Sequence, residues 1–71
     1  MQIGASMPGK VIAIEVAVGD WIEAGQTVLV AEAMKMETAV TSGADGRVTE
    51  VLVGVGDTVR AGELLVKLDA G

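Results

Sequence analysis

The chain has 71 residues, a formal net charge of −5, and a composition that is 51% hydrophobic but only 1% aromatic, with no cysteine and no histidine. This is room for one small domain, residues 1–71, with a core built from Val, Leu, Ile, Ala and Met. The acidic balance argues against nucleic acid or an anionic membrane as a partner, and the missing residue types remove disulfides, thiolate chemistry, the commonest general base and the commonest zinc ligand.

The N-terminus, Met1-Gln2-Ile3-Gly4, has no basic or long apolar region, and no apolar run is long enough to span a bilayer. A cytoplasmic domain is expected. Lys10 to Val16 is a β-branched run bounded by Gly9 and Gly19 and reads as a strand. Val18-Gly19-Asp20 and Ala24-Gly25 supply turn chemistry, because Gly permits positive φ and Asp bonds nearby backbone. Thr27 to Val30 reads as the next strand. Ala31-Glu32-Ala33-Met34-Lys35-Met36-Glu37 is composed of good helix formers, and propensity alone predicts a short helix there. Arg47 to Val53 is again strand-like, Val55-Gly56-Asp57 and Ala61-Gly62 are turns, and Leu64 to Val66 opens a last strand.

These elements are an internal duplication. Gly9-Lys10-Val11 aligns with Gly46-Arg47-Val48 at an offset of 37 positions, and the register runs on without a gap. Val16-Ala17-Val18-Gly19-Asp20 falls on Val53-Gly54-Val55-Gly56-Asp57, and Ala24-Gly25-Gln26 on Ala61-Gly62-Glu63. The half-repeats span about 9–33 and 46–70. Two copies are too few for a solenoid, so a closed, intertwined, pseudo-two-fold domain is expected. The repeat also overrides helix propensity at 31–37, since the second copy continues strand-like there. The expectation is strand, sharp turn, strand, with Lys35 at the tip. The counterpart of Lys35 falls just past the C-terminus, so an axis through the middle of the domain would put the lysine and the chain's end at opposite ends.

No catalytic constellation assembles. Ser6 and Ser42 have no histidine to activate them, the carboxylates are spread along the chain, and no glycine pattern cradles a phosphate. No metal site and no catalytic residue is expected. Lys35 stands out because Met34 and Met36 flank it symmetrically between the two half-repeats. The thioethers either plug the end of the core or place soft apolar surface beside the lysine, and the two readings are compatible.

The run Glu32-Ala33-Met34-Lys35-Met36-Glu37, with Met7-Pro8-Gly9, Val18-Gly19-Asp20, Ala24-Gly25-Gln26, Gly43-Ala44-Asp45-Gly46 and Gly56-Asp57, resembles the biotinyl-domain family of biotin carboxyl carriers over nearly the whole chain. The resemblance implies an all-β fold, a flattened barrel of two four-stranded antiparallel sheets with the modified lysine on a hairpin turn. It implies that biotin protein ligase joins biotin to Lys35 through an amide, with Ala33, Met34 and Met36 beside it. From their place beside the lysine, Glu32 and Glu37 are expected to assist ligase recognition rather than chemistry. The biotin would then carry a carboxyl group from a biotin carboxylase site to a carboxyltransferase site, the domain catalysing neither step. The family's usual proline is replaced by Ser6, and Gly9 to Gly25 has no room for the insertion of the bacterial acetyl-CoA carboxylase carrier. Carriers of acyl-CoA and pyruvate carboxylases, decarboxylases and transcarboxylase are the better match. Two alternatives stand beside this reading. One is a lipoyl or dual biotin/lipoyl carrier, although lipoyl domains typically have Asp before and Ala after the lysine. The other is an unmodified interaction module. Trp21, after a turn, reads as packing or edge cover.

Overall fold

Each β-branched run between glycine turns becomes a strand. The computed structural model describes residues 2–70; residues 1 and 71 of the expected domain lie outside the described residues. The elements are β1 (Gln2–Gly4), β2 (Gly9–Ile14), β3 (Trp21–Ile22), β4 (Thr27–Ala33), β5 (Met36–Thr41), β6 (Gly46–Val51), β7 (Thr58–Val59) and β8 (Leu64–Asp69). They form two four-stranded sheets, ordered β1-β8-β6-β3 and β5-β4-β2-β7, and every pairing is antiparallel. The all-β expectation of two four-stranded antiparallel sheets holds.

The duplication is visible in the topology. Shifted by 37 positions, β2, β3 and β4 become β6, β7 and β8, and one sheet order becomes the other, with β1 in the place of β5. Each sheet borrows its last strand from the other half: β7 pairs with β2, and β3 with β6. The hydrogen bonds that lock the halves together also come in pairs. The Gly19 N–H donates to the Val48 carbonyl and the Gly56 N–H to the Val11 carbonyl, both at 2.8 Å. The Ala5 N–H reaches the Glu63 carbonyl and the Ser42 N–H the Gln26 carbonyl, both at 2.9 Å. Even the turn side chains repeat, with Asp20 Oδ2 accepting from the Ala17 N–H at 2.9 Å and Asp57 Oδ2 from the Gly54 N–H at 2.7 Å. Gly19 and Gly56 sit at φ 98° and 97°, a region that side chains disfavour.

The core follows the same pairing. Its largest fully buried side chains are Val11 and Val48, Ile22 and Val59, Val28 and Leu65, Leu29 and Val66, four symmetry-related couples. Val28 and Leu29 are adjacent yet both buried, against the alternation of a regular strand. The β4–β5 register shifts between Thr27 and Leu29, and such a bulge lets neighbouring residues turn to one side. Similar shifts fall within Val11/Ala13 and Val48/Glu50. The first strand of each half is two residues shorter than the sequence suggests, ending at Ile14 and Val51 rather than at Val16 and Val53. After one more bond, from the Glu15 N–H to the Val28 carbonyl and its equivalent from Leu52 to Leu65, the chain leaves the ladder and Val16 turns into the core.

Gly9 ties the fold to the lysine-bearing hairpin. A Cβ there would come within 2.9 Å of the Glu32 carbonyl oxygen and 3.5 Å of the Ala31 Cβ, and the related Gly46 meets Asp69 and Leu68 in the same way. Gly9→Ala is therefore expected to lower stability by about 1–3 kcal/mol, the cost of overpacking. Gly43→Ala, with open space around it, is expected to change stability by less than about 0.5 kcal/mol. Urea-denaturation midpoints of the two variants read the difference.

Candidate functional site

The helix-forming segment folds as a hairpin. β4 ends at Ala33 and β5 starts at Met36, and these two residues face each other in the ladder. That leaves Met34 and Lys35 as a two-residue loop, with φ of 52° and 65°. Positive φ at both central positions is the signature of a type I′ turn, whose backbone twist matches that of the flanking strands. Such turns favour Asn-Gly; Met and Lys in the left-handed region cost about 1–2 kcal/mol each. They are the only non-glycine residues with positive φ among the described residues. The expected strand, sharp turn, strand with Lys35 at its tip is what folds, because the β4–β5 ladder overrides a local preference worth tenths of a kcal/mol per residue.

Met34 is 92% exposed and Met36 70% exposed. Neither plugs the core: of the two readings of the methionines, soft apolar surface beside the lysine is the one that folds, and the core closes with aliphatic side chains alone. Lys35 is exposed between them, and Ala33 is half-buried. Among the described residues no pocket opens beside the lysine or anywhere else, and no cluster of metal-binding side chains forms.

One residue pair back from the loop, Glu32 and Glu37 stand directly opposite each other, both exposed. Lys10 is opposite Glu32 on its other side, so Lys10, Glu32 and Glu37 form one cross-strand row beside the tip. Like charges facing across a ladder are unfavourable by a few tenths of a kcal/mol. The tip therefore holds two local costs, one in backbone conformation and one in charge. The opposition of Glu32 and Glu37 follows at once from a turn centred on Met34 and Lys35. The place of Lys10 does not, because the bulge in β2 hides the register from the sequence.

Other residues singled out in the sequence have structural work. Ser42 is 3% exposed; its hydroxyl donates to the Ala44 carbonyl and accepts from the Ala44 N–H. Asp45 accepts from the Ala24 N–H at 2.8 Å. Trp21, 48% exposed on β3 at a sheet edge, lies under the Arg47 guanidinium, 5.9 Å from the ring centre, and Arg47 also donates to the Gly19 carbonyl. This is edge cover.

The sequence model of the family described as "Biotin-requiring enzyme" matches residues 1–68. The chain belongs to that family. It is 45% identical to the pyruvate carboxylase of Staphylococcus aureus over 68 residues, which is 96% of this chain and 6% of that protein. The crystal structure of the Kluyveromyces lactis urea carboxylase superposes over 97% of this chain and 6% of its own length, with a TM-score of 0.91 and 35% identity. A solution structure of the lipoyl domain of the 2-oxoglutarate dehydrogenase complex from Azotobacter vinelandii shares the fold at a TM-score of 0.75 and 33% identity, over 90% of this chain and 81% of that one. The chain thus spans a small part of the carboxylases it resembles. Its likeness to them is greater than its likeness to the lipoyl domain, which favours a biotin carrier over the lipoyl alternative.

Replacing the loop by its preferred pair tests the turn assignment. Met34→Asn with Lys35→Gly is expected to raise stability by about 1–3 kcal/mol by removing left-handed strain. Thermal unfolding of the double variant, beside Lys35→Gly alone, measures the gain.

Proposed function

We propose that this domain is a biotin carboxyl carrier whose attachment point is the Lys35 ε-amine. The observation that carries the reading is a lysine held at the tip of a two-residue turn, exposed and flanked by exposed thioethers, in a chain of the Biotin-requiring enzyme family.

The residues suit a covalently held group. With no pocket among the described residues, affinity for a free cofactor has no basis, whereas a protruding amine can be reached from outside. Attachment forms an amide between Lys35 Nζ and the biotin carboxyl carbon, with AMP leaving from a biotinyl-adenylate made by biotin protein ligase. The amide removes the lysine's charge and leaves its four-carbon stem as a flexible arm. Once attached, biotin supplies a ring that takes up a carboxyl group at one catalytic centre and yields it at another.

This chain's own residues do the rest. The β4–β5 hairpin fixes the tip, so little ordering is needed when an enzyme docks on it. Met34 and Met36 offer adaptable apolar contact on either side of the lysine. Glu32 and Glu37 present paired carboxylates to the ligase, and the acidic body steers encounter with enzymes of complementary charge. Tethering to one domain keeps the group at high effective concentration for both centres. The partners are a biotin protein ligase and the biotin carboxylase and carboxyltransferase domains or subunits of a biotin-dependent enzyme, and the cytoplasm is the setting proposed for them. The domain itself is proposed to catalyse neither carboxyl transfer.

Co-expression with a biotin protein ligase and free biotin is expected to add one biotinyl increment to the intact mass, and none to Lys35→Arg, which keeps the charge but cannot form the amide. A lipoyl increment, from cells supplying both groups, would overturn the biotin assignment. Glu32→Gln and Glu37→Gln are each expected to lower kcat/KM of the ligase reaction about threefold to tenfold, the loss of a charged contact, while circular dichroism stays unchanged.

A further inference from the structure

All three described methionines lie outside the core. Met7 is 45% exposed, Met36 70% and Met34 92%, while the core cluster is made of Val, Leu, Ile and Ala only. Methionine ordinarily serves as a flexible filler of irregular core gaps. Here the oxidisable sulfurs are separated from the side chains that hold the fold, and the two most exposed flank Lys35. The turn gives no reason for a thioether at position 34, where positive φ favours Asn or Gly. The identity of Met34 is therefore free to serve chemistry at the tip.

We propose that Met34 and Met36 are sites of reversible oxidation by peroxide, and that the sulfoxides block acylation of Lys35. The inference rests on the carrier reading of that lysine. The thioether sulfur attacks one oxygen of hydrogen peroxide; the O–O bond breaks as the S–O bond forms. Sulfur gives up two electrons, peroxide is reduced, and the second oxygen takes up the proton and leaves as water. Each sulfoxide turns an apolar flank of the lysine into a polar, chiral one. An enzyme docking on the tip would have to strip water from an oxygen it has no donor to meet. Because both side chains are largely exposed and neither belongs to the core cluster, oxidation changes the tip while leaving the fold intact.

The test uses unmodified chain from cells lacking a ligase, treated with hydrogen peroxide, desalted, and mapped by peptide mass. The initial rate of biotinylation is then measured with purified ligase, ATP and biotin, before and after methionine sulfoxide reductases A and B. Oxygen is expected mainly on Met34 and Met36, with the rate at least fivefold below that of untreated chain, recovery on reduction, and the same circular dichroism spectrum and melting temperature within a few degrees. Met7→Leu is expected to remain peroxide-sensitive. The Met34→Leu, Met36→Leu double variant, compared only with its own untreated rate, is expected to show a treated-to-untreated ratio near one. Equal rates for oxidised and untreated chain would overturn the inference while leaving the carrier reading in place. A rate loss that persists in the double variant, or that follows unfolding, would overturn it as well. Failure of untreated chain to accept biotin at all would overturn both.

Discussion

Everything in this domain depends on the mutual completion of two halves, neither of which closes a sheet alone. The decisive contacts are the two shortest strands, β3 and β7, each delivered by one half to the edge of the other half's sheet. A half-repeat standing by itself would leave Val11, Ile22, Val28 and Leu29, or their counterparts, on a one-sided sheet open to water. Burial of each couple depends on the other half being in place. For a chain of this size with one aromatic residue, that interlock replaces the bulky side chains on which a small core usually relies.

The symmetry also explains where function can be placed without harming the fold. Paired hydrogen bonds fix the turns at 17–20 and 54–57, and the crossings at Ala5 and Ser42, from both sides. The loop at Met34 and Lys35 has no counterpart among the described residues. It is tied to the body only through the Ala33–Met36 pair and the ladder behind it. A strained turn and a facing pair of carboxylates are tolerated there because the β4–β5 ladder, bonded along its length to β2 as well, determines the hairpin's path. Left-handed strain at non-glycine residues of this loop is a natural mark of residues chosen for something other than stability.

Much of this was legible in the sequence. The offset of 37 positions gave the strands, the turns at Gly19 and Gly56, and the intertwined architecture, because a repeat records tertiary pairing that propensity does not. It also decided segment 31–37 correctly against its helix-forming composition. Three features were hidden, each for a physical reason. Bulges at Ile12 and Val28 shift register by one residue, which no alternation pattern reports, so Lys10 beside Glu32 was missed. The strands beginning at Gly9 and Gly46 end early because Val16 and Val53 turn inward, and apolar content alone reads as continued strand. The exposure of Met34 and Met36 was left open, since hydrophobicity argues for the core while turn geometry argues for solvent. Geometry wins here because Met34 occupies a central position of the turn and Met36 the first position of β5, both at the end of the ladder where little of the sheet lies beneath them.

That last point separates two ways of presenting a reactive group. An enzyme encloses its nucleophile in a cleft, where neighbouring groups tune it. This domain does the reverse: among the described residues no pocket opens beside Lys35, its chain neighbours are two exposed thioethers with a row of exposed charges behind them, and none of these residues belongs to the core. A lysine so placed is accessible to any enzyme able to recognise its flanks. What protrudes is the turn conformation, the thioethers and the carboxylates beside them, and these are the features that the proposed function gives to recognition. The rigidity supplied by the interlocked sheets makes that small surface a constant one. A flexible tip with the same residues would have to be ordered anew at each docking event, at each of the centres a carrier has to visit.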